Sequence, residues 1–125
     1  MSAIYLSELD VKHLLTMRTA IDVVEESFRQ LGNGRAVNIP RQRAIVPGVV
    51  LHTLSAALPY LNMVGWKAYT TTKSGNRFMV GLSNATTGEI VALVDADRLG
   101  QMRTGAATGV AAAWLAPPTA TELGL

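Results

Sequence analysis

The chain has 125 residues, of which 49% are hydrophobic and 16% are charged, with a formal net charge of +2 and no cysteine. This length suits one domain with a buried core, and the lack of cysteine excludes disulfides, thiol nucleophiles and cysteine-ligated zinc. The scattered basic residues do not form the patch of a nucleic-acid-binding protein. We find neither a signal-peptide pattern nor an apolar run of membrane-spanning length, so we expect a cytoplasmic protein.

The first part of the chain predicts a short strand and two helices. Residues 3–6 are a strand candidate. Ser7, followed three residues later by Asp10, matches a capping box and predicts a helix over residues 8–15. Thr16 is a candidate cap for a second helix that runs to about Leu31, because apolar residues recur there at helical spacing.

Residues 39–94 predict a sheet. Runs rich in β-branched and apolar residues are separated by short turn sequences, and Gly88 is expected to take a positive φ in the turn before the last run. Strands joined by short turns between helical segments predict an α+β fold, with a mostly antiparallel sheet flanked by helices. The strand candidates are residues 42–46, 49–56, 63–71, 78–85 and 90–95.

Residues 95–116 predict a final helix. Asp95 and Asp97 are expected to cap this helix rather than to act as catalytic acids. Glycine costs about 1 kcal/mol against alanine inside a helix, so its glycines predict either a break or a very close backbone contact near residues 103–105. These glycines are Gly100, Gly105 and Gly109.

Three basic side chains are candidates for holding a carboxylate. Arg103, beside Thr104 and small residues, is expected at a helix start, where an anion is favoured. Lys67 interrupts an apolar strand, where a lysine of lowered pKa could hold a carboxylate or exchange a proton. Arg41 follows a proline that stiffens its strand. Each could instead be an ordinary solvated residue, but together they indicate a site for a carboxylate-bearing small molecule.

The two histidines do not indicate a metal site. His52 interrupts an apolar strand and is expected to be a hydrogen-bonded core or cleft residue. His13 is expected on the exposed side of the first helix. Neither has a second histidine at the spacing that metal ligands require.

The order of these motifs resembles the ornithine cyclodeaminase/mu-crystallin family. The most specific motifs are TG-x-x-x-A-L-x-D at residues 87–95 and RT-x-A-x-[ST] at residues 103–108. The resemblance extends over essentially the whole chain. It is carried, in order, by residues 5–48, 64–70, 83–116 and the start of 119–125.

The resemblance implies roles for five residues. The substrate carboxylate would be held by Arg41, Lys67 and Arg103, with Lys67 also catalytic. Thr104 would lie near the phosphates of NAD or NADP. His52 matches a substrate-binding position at which ornithine cyclodeaminases have Glu, and this departure argues against ornithine as the substrate.

The resemblance also implies an organisation. Residues 1–116 would form a substrate-binding and dimerisation domain whose sheet pairs with a second copy. Residues 117–125 would be a linker and the start of the first strand of a Rossmann domain, with the glycine-rich turn and the catalytic Asp beyond Leu125. On this expectation the 125 residues alone are inactive. The intact protein would be an NAD(P)-dependent enzyme that acts on an amino or imino acid by cyclodeamination, imine reduction or dehydrogenation.

A second hypothesis is a non-catalytic, dimeric small-molecule-binding protein of the mu-crystallin type. An enzyme-type cleft should lose affinity for carboxylates when Arg41 is replaced by alanine, whereas a purely structural dimer should not respond. On either hypothesis we expect neither a nucleic acid nor a membrane as a partner.

Overall fold

The computed structural model of the chain describes residues 2–124. Each strand and helix predicted between residues 3 and 116 is present, which confirms the α+β class. In chain order the elements are β1 (Ile4–Leu6), α1 (Glu8–Leu14), α2 (Met17–Gly32), β2 (Val37–Val46), β3 (Val49–Leu58), a 3₁₀ turn (Pro59–Leu61), β4 (Met63–Thr72), β5 (Gly75–Asn84), β6 (Ile90–Asp95) and α3 (Asp97–Leu115).

The strands form one six-stranded sheet in the order β1-β6-β5-β4-β3-β2. Strands β2 to β6 pair antiparallel with their neighbours, whereas β1 pairs with β6 in parallel. The register of β2 shifts between Ile39 and Gln42, next to Arg41. Gly88 has a φ of 76° in the turn before β6, as predicted. The mostly antiparallel sheet is therefore confirmed.

Side-chain caps set the starts of α1 and α2, as the sequence predicts. Ser7 accepts a hydrogen bond from the Asp10 amide, and the Asp10 carboxylate accepts one from the Ser7 amide, which completes the capping box. The hydroxyl of Thr16 accepts a 3.1 Å hydrogen bond from the amide three residues on. After α2 ends at Gly32, Gly34 turns the chain with a φ of 70°.

The start of α3 differs from its prediction. Its N-cap residue is Ala96, so the prediction that Asp95 caps the helix is wrong, and Asp97 is the first helical residue rather than the cap. Asp95 instead accepts a 2.7 Å hydrogen bond from the hydroxyl of Tyr5. Glu8 of α1 supplies the cap, because its carboxylate accepts hydrogen bonds of 2.7 and 3.0 Å from the first two amides of α3. A negative group is favoured at this end of a helix.

Glycines allow α3 to pack closely against α2 without a break. The helix is continuous, so the predicted alternative of a break is wrong and the close contact is confirmed. A Cβ atom at Gly105 would lie 3.3 Å from Met17 Cε, and one at Gly109 would lie 3.6 Å from Ile21 Cδ1. The glycines of α3 therefore leave room for the Met17 and Ile21 side chains of α2.

The core lies between the sheet and the helices. We call the sheet face toward the helices the inner face, and the opposite face the outer face. Val11 of α1 packs on Ala92 and Val94 of β6, and all three are buried. Ala106 of α3 is completely buried. Among the described residues no large side chain is fully buried, which agrees with the small-residue packing that the composition indicates.

The segment after α3 has little regular structure. Residues 120–124 form neither helix nor strand, and Leu125 lies outside the described residues. The expected start of a strand at residues 122–125 stays a prediction. Between residues 2 and 124, none of the helices combines the length and the apolar character that crossing a membrane requires.

Candidate functional site

A cavity of about 660 Å³ opens on the inner face of the sheet, beside the first turns of α3. Strands β2 to β5 form its floor, since alternate residues of each strand point to the same face, and α3 forms its wall. The five site residues predicted from the sequence all line this cavity. They are Arg41, His52, Lys67, Arg103 and Thr104.

A row of three rings crosses the floor of the cavity. His52, Tyr69 and Phe78 lie directly opposite one another in the register of β3, β4 and β5. The ring centroids of His52 and Tyr69 are 4.2 Å apart with planes 5° from parallel, and those of Tyr69 and Phe78 are 4.8 Å apart. The sequence analysis missed Tyr69 and Phe78, because only the cross-strand register reveals that they belong to one row with His52.

Two of the predicted cations lie over this row. The guanidinium carbon of Arg41 is 5.7 Å from the centroid of the Tyr69 ring. The Nζ atom of Lys67 is 5.6 Å from the same centroid and 4.9 Å from that of Phe78. Cations are attracted to the faces of aromatic rings. The ring row therefore holds both positive groups above the floor.

The ammonium group of Lys67 also lies beside the backbone of α3. A Cβ atom at Gly100 would be only 3.2 Å from Lys67 Nζ, so glycine at this position leaves room for the ammonium. Burial, and then the charges of Arg103 and Arg41, lower the pKa of Lys67, whereas Asp97 acts in the opposite direction. A lowered pKa makes a lysine a better proton donor near neutral pH.

His52 is a hydrogen-bonded residue of the cavity. It is 9% exposed, and its Nε2 atom is 3.2 Å from the Thr71 hydroxyl. Burial, and then the charges of Arg43 and Arg41, lower the pKa of His52 from its ordinary value of 6.5. These effects favour the neutral form of the imidazole.

Arg103 and Thr104 reach the cavity from the second turn of α3. The prediction that they lie at the helix start is wrong, because α3 begins at Asp97. The Thr104 hydroxyl donates a 2.8 Å hydrogen bond to the carbonyl of Gly100, within the helix. Arg103 thus brings its guanidinium to the cavity without the free amides of a helix N-terminus.

The sequence model of the ornithine cyclodeaminase/mu-crystallin family matches residues 1–125. The chain belongs to this family. This confirms the assignment that its ordered motifs indicated. A search of the curated proteins gave no match.

Several solved structures of other proteins are closely similar in fold to this chain. A probable ornithine cyclodeaminase from Bordetella pertussis Tohama I is 33% identical, with a TM-score of 0.89 over 94% of this chain and 38% of that one. An archaeal alanine dehydrogenase dimer with bound NAD is 28% identical, with a TM-score of 0.89 over 95% of this chain and 39% of that one.

A third similar structure is the Δ¹-pyrroline-2-carboxylate reductase of Thermococcus litoralis in complex with NADH and L-proline. It is 27% identical, with a TM-score of 0.84 over 91% of this chain and 38% of that one. The chain thus spans less than two-fifths of the length of these proteins.

Removing the charge of Arg103 should raise the pKa of Lys67. In Arg103→Gln the ammonium loses its largest repulsive neighbour, so its titration should move to higher pH. NMR spectroscopy of the Lys67 side chain as a function of pH measures this directly. Arg18→Gln, an exposed change on α2, is the control and should leave the titration unchanged. Equal Lys67 titration curves in wild type and Arg103→Gln would show that the two groups do not interact.

Proposed function

We propose that this chain is the substrate-binding part of an NAD(P)-dependent enzyme that acts on an amino or imino acid. The observation that carries the proposal is the convergence of Arg41, Lys67 and Arg103 on one cavity. A carboxylate is the group that several cations hold best, and arginine binds it through two parallel hydrogen bonds. Within the part of the chain described, Asp97 is the only carboxylate that lines this cavity.

We assign different roles to the three cations. Arg41 and Arg103 hold and orient the substrate carboxylate, because a guanidinium matches the two oxygens of a carboxylate with parallel hydrogen bonds. Lys67 contacts the same carboxylate and is also the proton-exchanging residue, since its pKa is lowered by burial and by its two neighbours. His52, which is stacked on Tyr69 and hydrogen-bonded to Thr71, contacts the substrate as part of the ring row rather than through a ring nitrogen.

Only an edge of the cofactor site falls within this chain on our proposal. Thr104 lines the cavity one residue beyond Arg103, and we assign it to the side facing the cofactor. The sequence has no G-x-G-x-x-G turn of the kind that binds the pyrophosphate of a dinucleotide. When bound, NAD(P) supplies hydride transfer. The residues of this chain hold the substrate and exchange a proton with it.

The names of the similar proteins support a substrate that carries a carboxylate beside nitrogen. Alanine, proline and Δ¹-pyrroline-2-carboxylate all have a carboxylate on the carbon bonded to nitrogen, and they are named in two of those structures. Cyclodeamination, imine reduction and amino-acid dehydrogenation all use such a group. We therefore assign residues 1–116 to binding this common group, rather than to one of the three reactions.

Replacing Arg41 by alanine should weaken carboxylate binding at least tenfold. A hydrogen bond to a charged group contributes about 1.5–3 kcal/mol, and tenfold corresponds to about 1.4 kcal/mol. Calorimetric titration with pyruvate, a carboxylate with an oxygen in place of the imine nitrogen, measures the loss. Arg35→Ala, exposed and outside the cavity lining, should bind as wild type does. An unchanged Kd in Arg41→Ala would contradict the proposed site.

We further propose that the outer face of the sheet joins two copies of the chain. Apolar side chains on this face stay exposed, and contiguous exposed apolar surface marks interaction sites. The alanine dehydrogenase among the similar structures is itself described as a dimer. The exposed apolar residues of this face are Val37, Ile39, Val46, Val49, Leu51, Val64 and Trp66.

A charge on the outer face should separate the two copies. Val64 is 37% exposed, so Val64→Lys should leave the fold intact while burying an unpaired charge in the dimer. Sedimentation should give the mass of two chains for the wild type and of one chain for the variant. The matched control is Val23→Lys on α2, where Val23 is 56% exposed; it should remain dimeric. A monomeric wild type, or a dimeric Val64→Lys, would contradict this arrangement.

A further inference from the structure

A polar pair of side chains follows the ring row along the cavity floor. Thr71 lies directly opposite Asn76 in the register of β4 and β5, two residues beyond the Tyr69–Phe78 pair. Both side chains are exposed, and both line the cavity that contains the cations. Two residues of a strand span about 6.6 Å, so this pair is within the length of a small substrate from the ring row.

His52 orients the hydroxyl of Thr71. The Nδ1 atom of His52 is buried without a hydrogen-bond partner among the described residues, and the charges of Arg43 and Arg41 act on the ring. A buried N–H without an acceptor is rarer than a buried acceptor without a donor, so we assign the lone pair to Nδ1 and the hydrogen to Nε2. Nε2 then donates to Thr71 Oγ1, 3.2 Å away. The hydroxyl hydrogen of Thr71 remains for an acceptor in the cavity.

The charges of the cavity exceed what one carboxylate balances. Arg41, Lys67 and Arg103 face one carboxylate of the chain, Asp97, among the described lining residues. A substrate with a single carboxylate leaves a positive surplus near the floor. A second negative group would be attracted to that surplus, whereas a distal ammonium group would be repelled.

We propose that Thr71 is a specificity-determining residue that binds a second carboxylate, so that the site prefers dicarboxylic amino or imino acids. The substrate's first carboxylate binds the three cations above the ring row. Its second carboxylate accepts the hydrogen bond of the Thr71 hydroxyl, with Asn76 offering its amide beside it. This assignment rests on the proposed function, because it deepens the substrate class of the same cavity.

Calorimetric titrations with succinate and with butyrate test the proposal. The two acids have the same carbon chain, and a methyl group in butyrate replaces the second carboxylate of succinate. At 0.15 M salt the wild type should bind succinate about tenfold more tightly than butyrate, as expected for one added hydrogen bond to a charged group.

Variants of Thr71 separate a specific hydrogen bond from general attraction. Thr71→Val keeps the β-branched shape and should bind succinate and butyrate with equal affinity, because it lacks the hydroxyl that distinguishes the two acids. Thr71→Ser keeps the hydroxyl and should retain the preference. The matched control, Thr70→Val, changes the neighbouring threonine, which points to the outer face, and should also retain it.

The titrations can contradict dicarboxylate selection, the role of Thr71 or the proposed function, and each contradiction has its own result. Equal affinity of the wild type for the two acids would refute dicarboxylate selection and leave the proposed carboxylate site standing. A preference that persists in Thr71→Val would show that charge alone selects, and equal weakening of both acids would show that Thr71 is only structural. If neither acid binds the wild type, the proposed function itself fails, and this inference fails with it.

Discussion

Repulsion among Arg41, Lys67 and Arg103 is the interaction that the arrangement of the cavity has to accommodate. Like charges gathered at one place oppose folding, and a partly buried lysine is the group most easily affected. Burial, and then this repulsion, lower the pKa of Lys67. The aromatic faces of Tyr69 and Phe78 and the carboxylate of Asp97 offset part of it. A bound carboxylate would offset more of it, so the free site favours the binding of an anion.

The antiparallel register determines which side chains share this cavity. Along β4, Lys67, Tyr69 and Thr71 occupy alternate positions and point to the inner face, whereas Trp66 occupies the opposite face. The same alternation therefore creates a charged cavity on one side and an apolar surface on the other. A shift of one residue in register would exchange the two faces, so the site and the proposed dimer surface depend on the same pairing.

The cavity also depends on the position of α3, because this helix brings Arg103 and Gly100 beside the strands. The carboxylate of Glu8, in α1, accepts hydrogen bonds from the first two amides of α3 and so fixes the start of this helix against the N-terminal part of the chain. Gly100 then lets the helix backbone pass beside the Lys67 ammonium. Local signals predicted α1, α2 and the strands well, because helix caps, turns and the alternation of apolar and polar side chains depend on residues close together in sequence. They failed at the start of α3, because its cap comes from a residue far away in sequence.

The contrast between local signals and contacts distant in sequence also explains which site residues could be predicted. Lys67 and His52 were identifiable as polar residues in apolar strands, whereas Arg41 and Arg103 were identified by the proline and the small residues beside them, and the resemblance to the family implied the same set. The ring row and the Thr71 hydroxyl were not identifiable, because their roles arise from cross-strand neighbours. Propensity left two alternatives open for the glycines of α3, and the structure has close contacts with α2 and Lys67 rather than a break.

The most direct test of the account is a crystal structure of the protein with bound pyruvate. The account predicts that the carboxylate of pyruvate contacts Arg41, Lys67 and Arg103 together, above the ring of Tyr69. Pyruvate bound elsewhere, or bound in the cavity while these three side chains point away from it, would contradict the central claim that the fold gathers them to hold a substrate carboxylate.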